Sequence, residues 1–162
     1  MITLNDIKDA QKRLDGTVYK TPLMKAPFLS IQKNAEIFFK EDNLQLTGSF
    51  KLRGAFNKVA MLDDVKKAAG VVAASAGNHA QGLAFAASYF KCEATIFMPE
   101  ATPLTKVLGV KSYGANVVLT GENFDEAYAS AIKFAKDNNK EFVHPFADDE
   151  VIAGQGTISL EI

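Results

Sequence analysis

The chain has 162 residues, 48% of them hydrophobic and 23% charged, the balance of a soluble globular protein long enough for one domain or for a small domain with part of a second. Its 18 basic and 19 acidic residues leave a net charge of -1, which excludes the basic surplus of a nucleic-acid binder. No apolar run approaches the ~20 residues that cross a bilayer, and the charged start Met1–Asp15 lacks the apolar centre of a secretory signal, so a cytoplasmic protein is expected.

Taken in chain order, Thr3–Leu14 predicts a helix with Ile7, Ala10, Gln11 and Leu14 on one face, Thr3 or Asn5 as cap and Gly16 as stop. Val18–Leu23 is expected to be extended, because Pro22 disfavours helix at Thr21. Ala35–Lys40 has strand composition. From Gly48 onward the pattern becomes regular. Leu52, Ala55, Phe56 and Val59 share a helix face, Gly70–Ala74 is a buried strand, Asn78–Phe90 an alanine-rich helix and Ala94–Met98 a second strand. Thr102-Pro103 opens a helix that runs to about Tyr113 and stops at Gly114. Ala115–Thr120 is a strand. Asn123 caps the following helix with Glu126 reaching back, and Phe124, Ala127, Tyr128, Ala131 and Phe134 form its core face. Glu141–Val143 is the last strand. At the end, Gly154–Thr157 reads as a loop opening a new helix. A helix stopped at Ile162 is below the length that is stable alone, so the ending reads as a truncation.

Alternating strands and helices with short connections predict an α/β fold, a small open parallel sheet with right-handed crossover helices. The single cysteine, Cys92, excludes an internal disulfide and a thiolate metal cluster, and a buried structural thiol is expected there, with no metal site.

Two segments carry chemistry. Gly48–Ala55 (Gly-Ser-Phe-Lys-Leu-Arg-Gly-Ala) puts Lys51 in the first turn of a helix. A lone lysine is ordinarily a solvated surface residue. At the positive end of a helix, however, its ammonium form lacks dipole support, and the neutral amine is the form that condenses with an aldehyde. Phe50 offers an apolar wall, and Gly54 leaves room one turn along. Ser75-Ala76-Gly77-Asn78-His79 links a buried strand to a helix start, where free N–H groups and side-chain donors suit a carboxylate. The bland reading, a turn in which Asn78 or Ser75 caps the helix, accounts for one polar residue and not for the cluster. His144 is assigned structural work.

The sixteen residues Lys40–Ala55 closely resemble the cofactor-lysine motif of the threonine and serine dehydratases, fold-type-II pyridoxal-phosphate enzymes, and the resemblance extends over nearly the whole chain. It implies pyridoxal 5'-phosphate held by Lys51, with Phe50 near its ring and Asn78 on its ring hydroxyl. It further implies that Ser75, Ala76, Gly77, Asn78 and, less directly, His79 hold the carboxylate of a small amino-acid substrate. The implied reaction is dehydration and deamination of L-threonine or L-serine to a 2-oxo acid and ammonia, with the freed Lys51 amine taking the α-proton. Related racemases have a serine where Ala76 stands. Alanine exchanges no proton, which favours elimination over racemisation.

Thr21-Pro22-Leu23 resembles an early segment of the family near the site entrance, and Val151–Thr157 its loop before a central helix. At Ala147 the family usually has aspartate. The resemblance also implies that residues 1–47 belong to the family's large domain, 48–147 form its small domain, and 148–162 begin a large-domain helix. The family's phosphate-binding loop has no counterpart here, so weak cofactor binding, impaired turnover and exposed apolar surface covered by homo-oligomerisation are expected. The alternatives are a serine racemase or another fold-type-II enzyme, or a non-catalytic module that keeps the loop for a ligand or partner.

Overall fold

The computed structural model describes residues 1–162. Its centre is a four-stranded, wholly parallel sheet of β3 (Val71–Ala74), β4 (Ala94–Met98), β5 (Asn116–Leu119) and β6 (Glu141–Phe142), ordered β5-β4-β3-β6. Val71 pairs with Ala94 and with Glu141, which sets the register of β3 against both neighbours. β3 and β4 are buried along their whole length, as strands covered by helices on both faces must be. Period-two alternation sorts their side chains. Val71, Ala73, Ile96 and Met98 join the main core, with Leu52 and Phe56 of α3 (Lys51–Met61) and Leu83 of α5 (Asn78–Tyr89). Val72, Ala74 and Phe97 face the other way, against Ala131 and Ala135 of α7 (Phe124–Asp137).

The predicted parallel sheet and its helices are therefore present, with small shifts. The first helix, α1 (Leu4–Leu14), is capped by Thr3 in a reciprocal pair with Asp6. α6 (Leu104–Lys111) begins one residue later than the Thr102-Pro103 pair implied, with Pro103 at the cap position and no side-chain cap. Asn123 caps α7 as expected, accepting from Glu126 N at 3.1 Å. The Glu126 carboxylate reaches further back, to Glu122 N at 2.9 Å, and Phe124 lies on the exposed side rather than in the core. Two helices escaped the sequence reading, α2 (Pro27–Lys33) and α4 (Asp64–Ala69). Each is short and buries no residue, so neither has an apolar stripe to read.

The larger correction concerns residues 154–157. They open no helix; they lie within and just after α8 (Asp149–Gly156), whose N-cap is Asp148, accepting from Glu150 N and Val151 N. The glycines mimic a loop signal but serve packing. A Cβ at Gly154 would lie 2.5 Å from Arg53 O and 2.6 Å from Gly54 Cα, so this crossing of α8 and α3 needs glycine on both sides. α1 and α8 pack on α3 and on each other, and the chain ends in a 3₁₀ turn, Thr157–Leu160.

The N-terminal region contributes β1 (Leu23–Lys25) and β2 (Phe38–Lys40), an antiparallel pair joined through α2. Here the expected apolar exposure is found: Leu23, Met24, Phe28, Ile31, Phe38 and Phe39 all stand in solvent, Ile31 at 83% of its full area. Cys92 is buried. No helix is long and apolar enough to cross a membrane.

Candidate functional site

The strand order locates the site before any side chain is considered. The chain runs outward from β3 to β4 and β5, then returns to the other side of β3 as β6. The carboxyl ends of β3 and β6 therefore leave the sheet in opposite directions, and the crevice between them is where open α/β sheets bind ligands. The segment Ser75–Asn78 leaves β3 there, and Val143–Pro145 leaves β6. The Lys51 amine, brought in by the first turn of α3, donates to Pro145 O at 2.9 Å. Sheet topology and the position of the lysine thus converge on one place.

Lys51 is half-buried, and burial lowers the pKa of its ammonium from the ordinary 10.5, which favours the neutral amine. No carboxylate pairs with it. Its one protein acceptor is the Pro145 carbonyl, and its nitrogen lies 5.3 Å from the centre of the half-exposed Phe50 ring. Two buried hydroxyls on the approach to Lys51, Thr47 Oγ1 and Ser49 Oγ, have no partner. α5 crosses this turn closely, since a Cβ at Gly82 would sit 3.1 Å from the backbone of Lys51 and Leu52.

Across the crevice Gly77, not Asn78, is the N-cap of α5, so Asn78 is the first helical residue and caps nothing. The Asn78 side chain is exposed and hydrogen-bonds no other part of the chain. The first-turn N–H groups of Asn78, His79 and Ala80 have no intrahelical acceptor. Ser75 Oγ accepts from Gly77 N at 3.2 Å and keeps its own proton to donate. Gly77 has φ -139°, within reach of any L-residue, and nothing lies within 4 Å of a Cβ built on it. What a glycine leaves here is open space. The Ala76 methyl packs against the main core.

His79 faces the crevice with its backbone alone. Its side chain is 3% exposed and turned inward, with Nε2 on Val143 O at 3.1 Å, so only its backbone N–H remains for a ligand. Burial depresses the imidazole to a pKa of about 4, and it stays neutral. His144 does the structural work assigned to it: its Nδ1 accepts from Phe146 N at 3.2 Å and Ala147 N at 2.8 Å.

Sequence reasoning overlooked the most elaborate polar cluster, two residues from Lys51. Arg53, 1% exposed, donates to both oxygens of Asp42 at 2.7 and 3.0 Å and to both oxygens of Glu161 at 2.6 and 3.1 Å. Thr157 Oγ1 and Tyr19 O complete its shell, each at 3.3 Å, and Lys40 adds a 2.6 Å ion pair to Glu161. A cavity of about 340 Å³ lies beside this cluster, lined by Gln11, Lys12, Lys20 and Glu161 among others and not by Lys51. The donors of Arg53 are already taken, which leaves the open crevice as the candidate site.

The residues at that crevice fit an aldehyde cofactor at the end that matters for attachment. They supply a lysine amine eased toward neutrality, an aromatic wall, an unpartnered carboxamide and free amides beside open space.

Comparison with known proteins gives a consistent result. The family described as pyridoxal-phosphate dependent enzyme matches residues 14–162. An L-threonine ammonia-lyase of Thermotoga maritima is 53% identical over the whole of this chain, which spans 40% of that protein. Among solved structures, the processed form of threonine deaminase isoform 2 from Solanum lycopersicum is 39% identical, with a TM-score of 0.90 over 98% of this chain and 43% of its own. The serine racemase from Dictyostelium discoideum is 37% identical, with a TM-score of 0.92 over 99% of this chain and 52% of its own.

Proposed function

The chain belongs to the family of pyridoxal-phosphate-dependent enzymes, and from that premise we propose that it provides the lysine-bearing and carboxylate-binding part of an L-threonine or L-serine ammonia-lyase. The observation that carries the reading is the Lys51 amine at the β3/β6 crevice, lowered in pKa and without a carboxylate partner.

Lys51 would hold the cofactor through its amine, Phe50 would flank the ring, and Asn78 would donate to or accept from its hydroxyl. When bound, pyridoxal phosphate supplies an electron sink for the pair left at the amino acid's α-carbon. The Ser75 hydroxyl and the backbone of Ala76, Gly77, Asn78 and His79 would seat the substrate carboxylate against the positive end of α5. The Lys51 nitrogen, once neutral and released, would accept the α-proton. Ala76 offers no group to exchange a proton on the opposite face, and this supports elimination. The structural likeness to a serine racemase favours a second reading, racemisation, which that methyl argues against. The reading extends to slow turnover by this chain, which spans 40% of the Thermotoga relative. It also includes a homo-oligomer that covers the apolar strip of β1, α2 and β2. A lone buried thiol suits the reducing cytoplasm, where this reading places the protein.

The experiment is ammonia release from L-threonine and L-serine after addition of the cofactor, with Lys51→Ala as control. Slow release that requires Lys51 is expected. Cofactor attached at Lys51 with ammonia from neither amino acid, or with D-serine as the sole product, overturns the dehydratase reading.

A further inference from the structure

We propose that His79 is a positioning residue for Lys51: its Nε2–H fixes the Val143–Pro145 turn, and the carbonyl at the end of that turn receives the lysine amine. This deepens the reading of Lys51 given above and rests on it only for its catalytic meaning.

The turn needs an outside tether. β6 is a two-residue edge strand, and the last ladder bond on this side runs from Val143 N to Val72 O at 2.8 Å. Beyond it the Val143 carbonyl has no strand to pair with. His79 Nε2 meets it at 3.1 Å. A carbonyl only accepts, so Nε2 carries the proton and Nδ1 is left as a buried nitrogen with no partner. That arrangement admits the neutral ring alone, because a second proton on Nδ1 would find no acceptor and would sit at the positive end of α5. Lys51 and His144 are the cationic or titratable neighbours whose charge also weighs against it.

Two residues on, the turn is closed from within. His144 Nδ1 collects the amides of Phe146 and Ala147, and its ring packs 4.5 Å from that of Phe146. Pro145, lacking an N–H, contributes only its carbonyl, and Lys51 Nζ takes it at 2.9 Å. His144 therefore shapes the turn, His79 ties it to the first turn of α5, and Lys51 reads its position. Through this tether the carboxylate-binding loop and the amine are set relative to each other by a side chain that touches no substrate.

The test titrates the Lys51 ε-nitrogen by NMR in the chain without cofactor, as wild type, His79→Phe and His79→Gln. Phenylalanine fills the space without a donor, and glutamine restores an N–H at similar reach. In His79→Phe the freed turn and the amine become better hydrated, and the Lys51 midpoint is expected to rise by about one pH unit, a roughly tenfold smaller neutral fraction at fixed pH. His79→Gln should return it to within a few tenths of wild type. A folded His79→Phe protein with the wild-type midpoint, or His79→Gln as displaced as His79→Phe, overturns the proposal. If His79→Phe does not fold, the wild-type imidazole ¹⁵N spectrum decides: the neutral form protonated at Nε2 at pH 7 supports the tether, and the other tautomer or the cation refutes it. Cofactor attachment is measured separately. A shifted Lys51 midpoint without attachment at Lys51 would uphold this inference and count against the functional reading.

Discussion

Lys51 and Arg53 stand two residues apart in the first turn of α3, both at least partly withdrawn from water, and the fold treats them in opposite ways. Arg53 is enclosed by two carboxylates, a hydroxyl and a carbonyl, and these partners hold it charged, its pKa raised above the ordinary value despite burial. Lys51 has one neutral acceptor and no counter-ion, so burial acts unopposed and its pKa falls. Burial with full satisfaction makes a joint: Arg53 ties the segment around Tyr19 and Asp42 to Thr157 and Glu161 through α3. Burial without satisfaction leaves a nitrogen free to react. One helical turn thus carries both an anchor and, on the proposed reading, the reactive amine.

The sharpest way to break that contrast is the same substitution at both positions. Arg53→Met strands Asp42 and Glu161 in the interior and should cost about 3–5 kcal/mol in urea unfolding. Lys51→Met removes only one hydrogen bond to an accessible turn and should stay within about 1 kcal/mol, yet abolish cofactor attachment. Comparable losses of stability at the two sites would end the distinction.

Acid should separate the two regions next. His79, on the Lys51 side, has a folded pKa of about 4 against 6.5 unfolded, so the unfolded chain takes up the proton first. Its contribution is complete above pH 6.5 and is lost as pH falls toward 4, up to about 3 kcal/mol. The Asp42 and Glu161 carboxylates on the Arg53 side are also lowered, but from 3.8 and 4.5, so their contribution fades only below that range. Urea midpoints collected between pH 7 and 4 should slope in the wild type and flatten in His79→Phe.

Gly154→Ala presses on the anchor alone. Its methyl meets only α3 backbone, at 2.5 to 2.9 Å, so α8 must shift, at about 1–3 kcal/mol, with little change in the Lys51 titration. Gly77→Ala probes the open side and should have the smallest effect on stability, within about 0.5 kcal/mol, because the space around it is empty. Calorimetry should nevertheless show weaker binding of a substrate carboxylate there.

The same contrast explains what could be read from the sequence. β3, β4 and α5 were legible because buried apolar runs and helix spacing are local signals, and the order of strands and helices implied a parallel sheet. Lys51 and the Ser75–Asn78 loop were legible because their residue types have few uses in combination at a helix start. The Arg53 cluster was not, since Glu161 lies 108 residues from Arg53 in the chain, and Asp42 and Lys40, though nearby in sequence, pass for surface charges. The one hint was an arginine between Leu52 and Gly54 on a buried helix. α8 was misread because glycines that serve a close helix crossing look the same as glycines that open a loop. The inward bond of the His79 side chain to Val143 O was not legible, because only the position of β6 decides it.

The central claim is that the Lys51 nitrogen is the reactive amine of this chain. It is tested most directly by incubating the protein with pyridoxal phosphate near neutral pH, trapping the adduct with borohydride and mapping it by peptide mass spectrometry. The account predicts modification concentrated at Lys51 at substoichiometric cofactor; label spread over the solvent lysines, with Lys51 no richer than the rest, would contradict it.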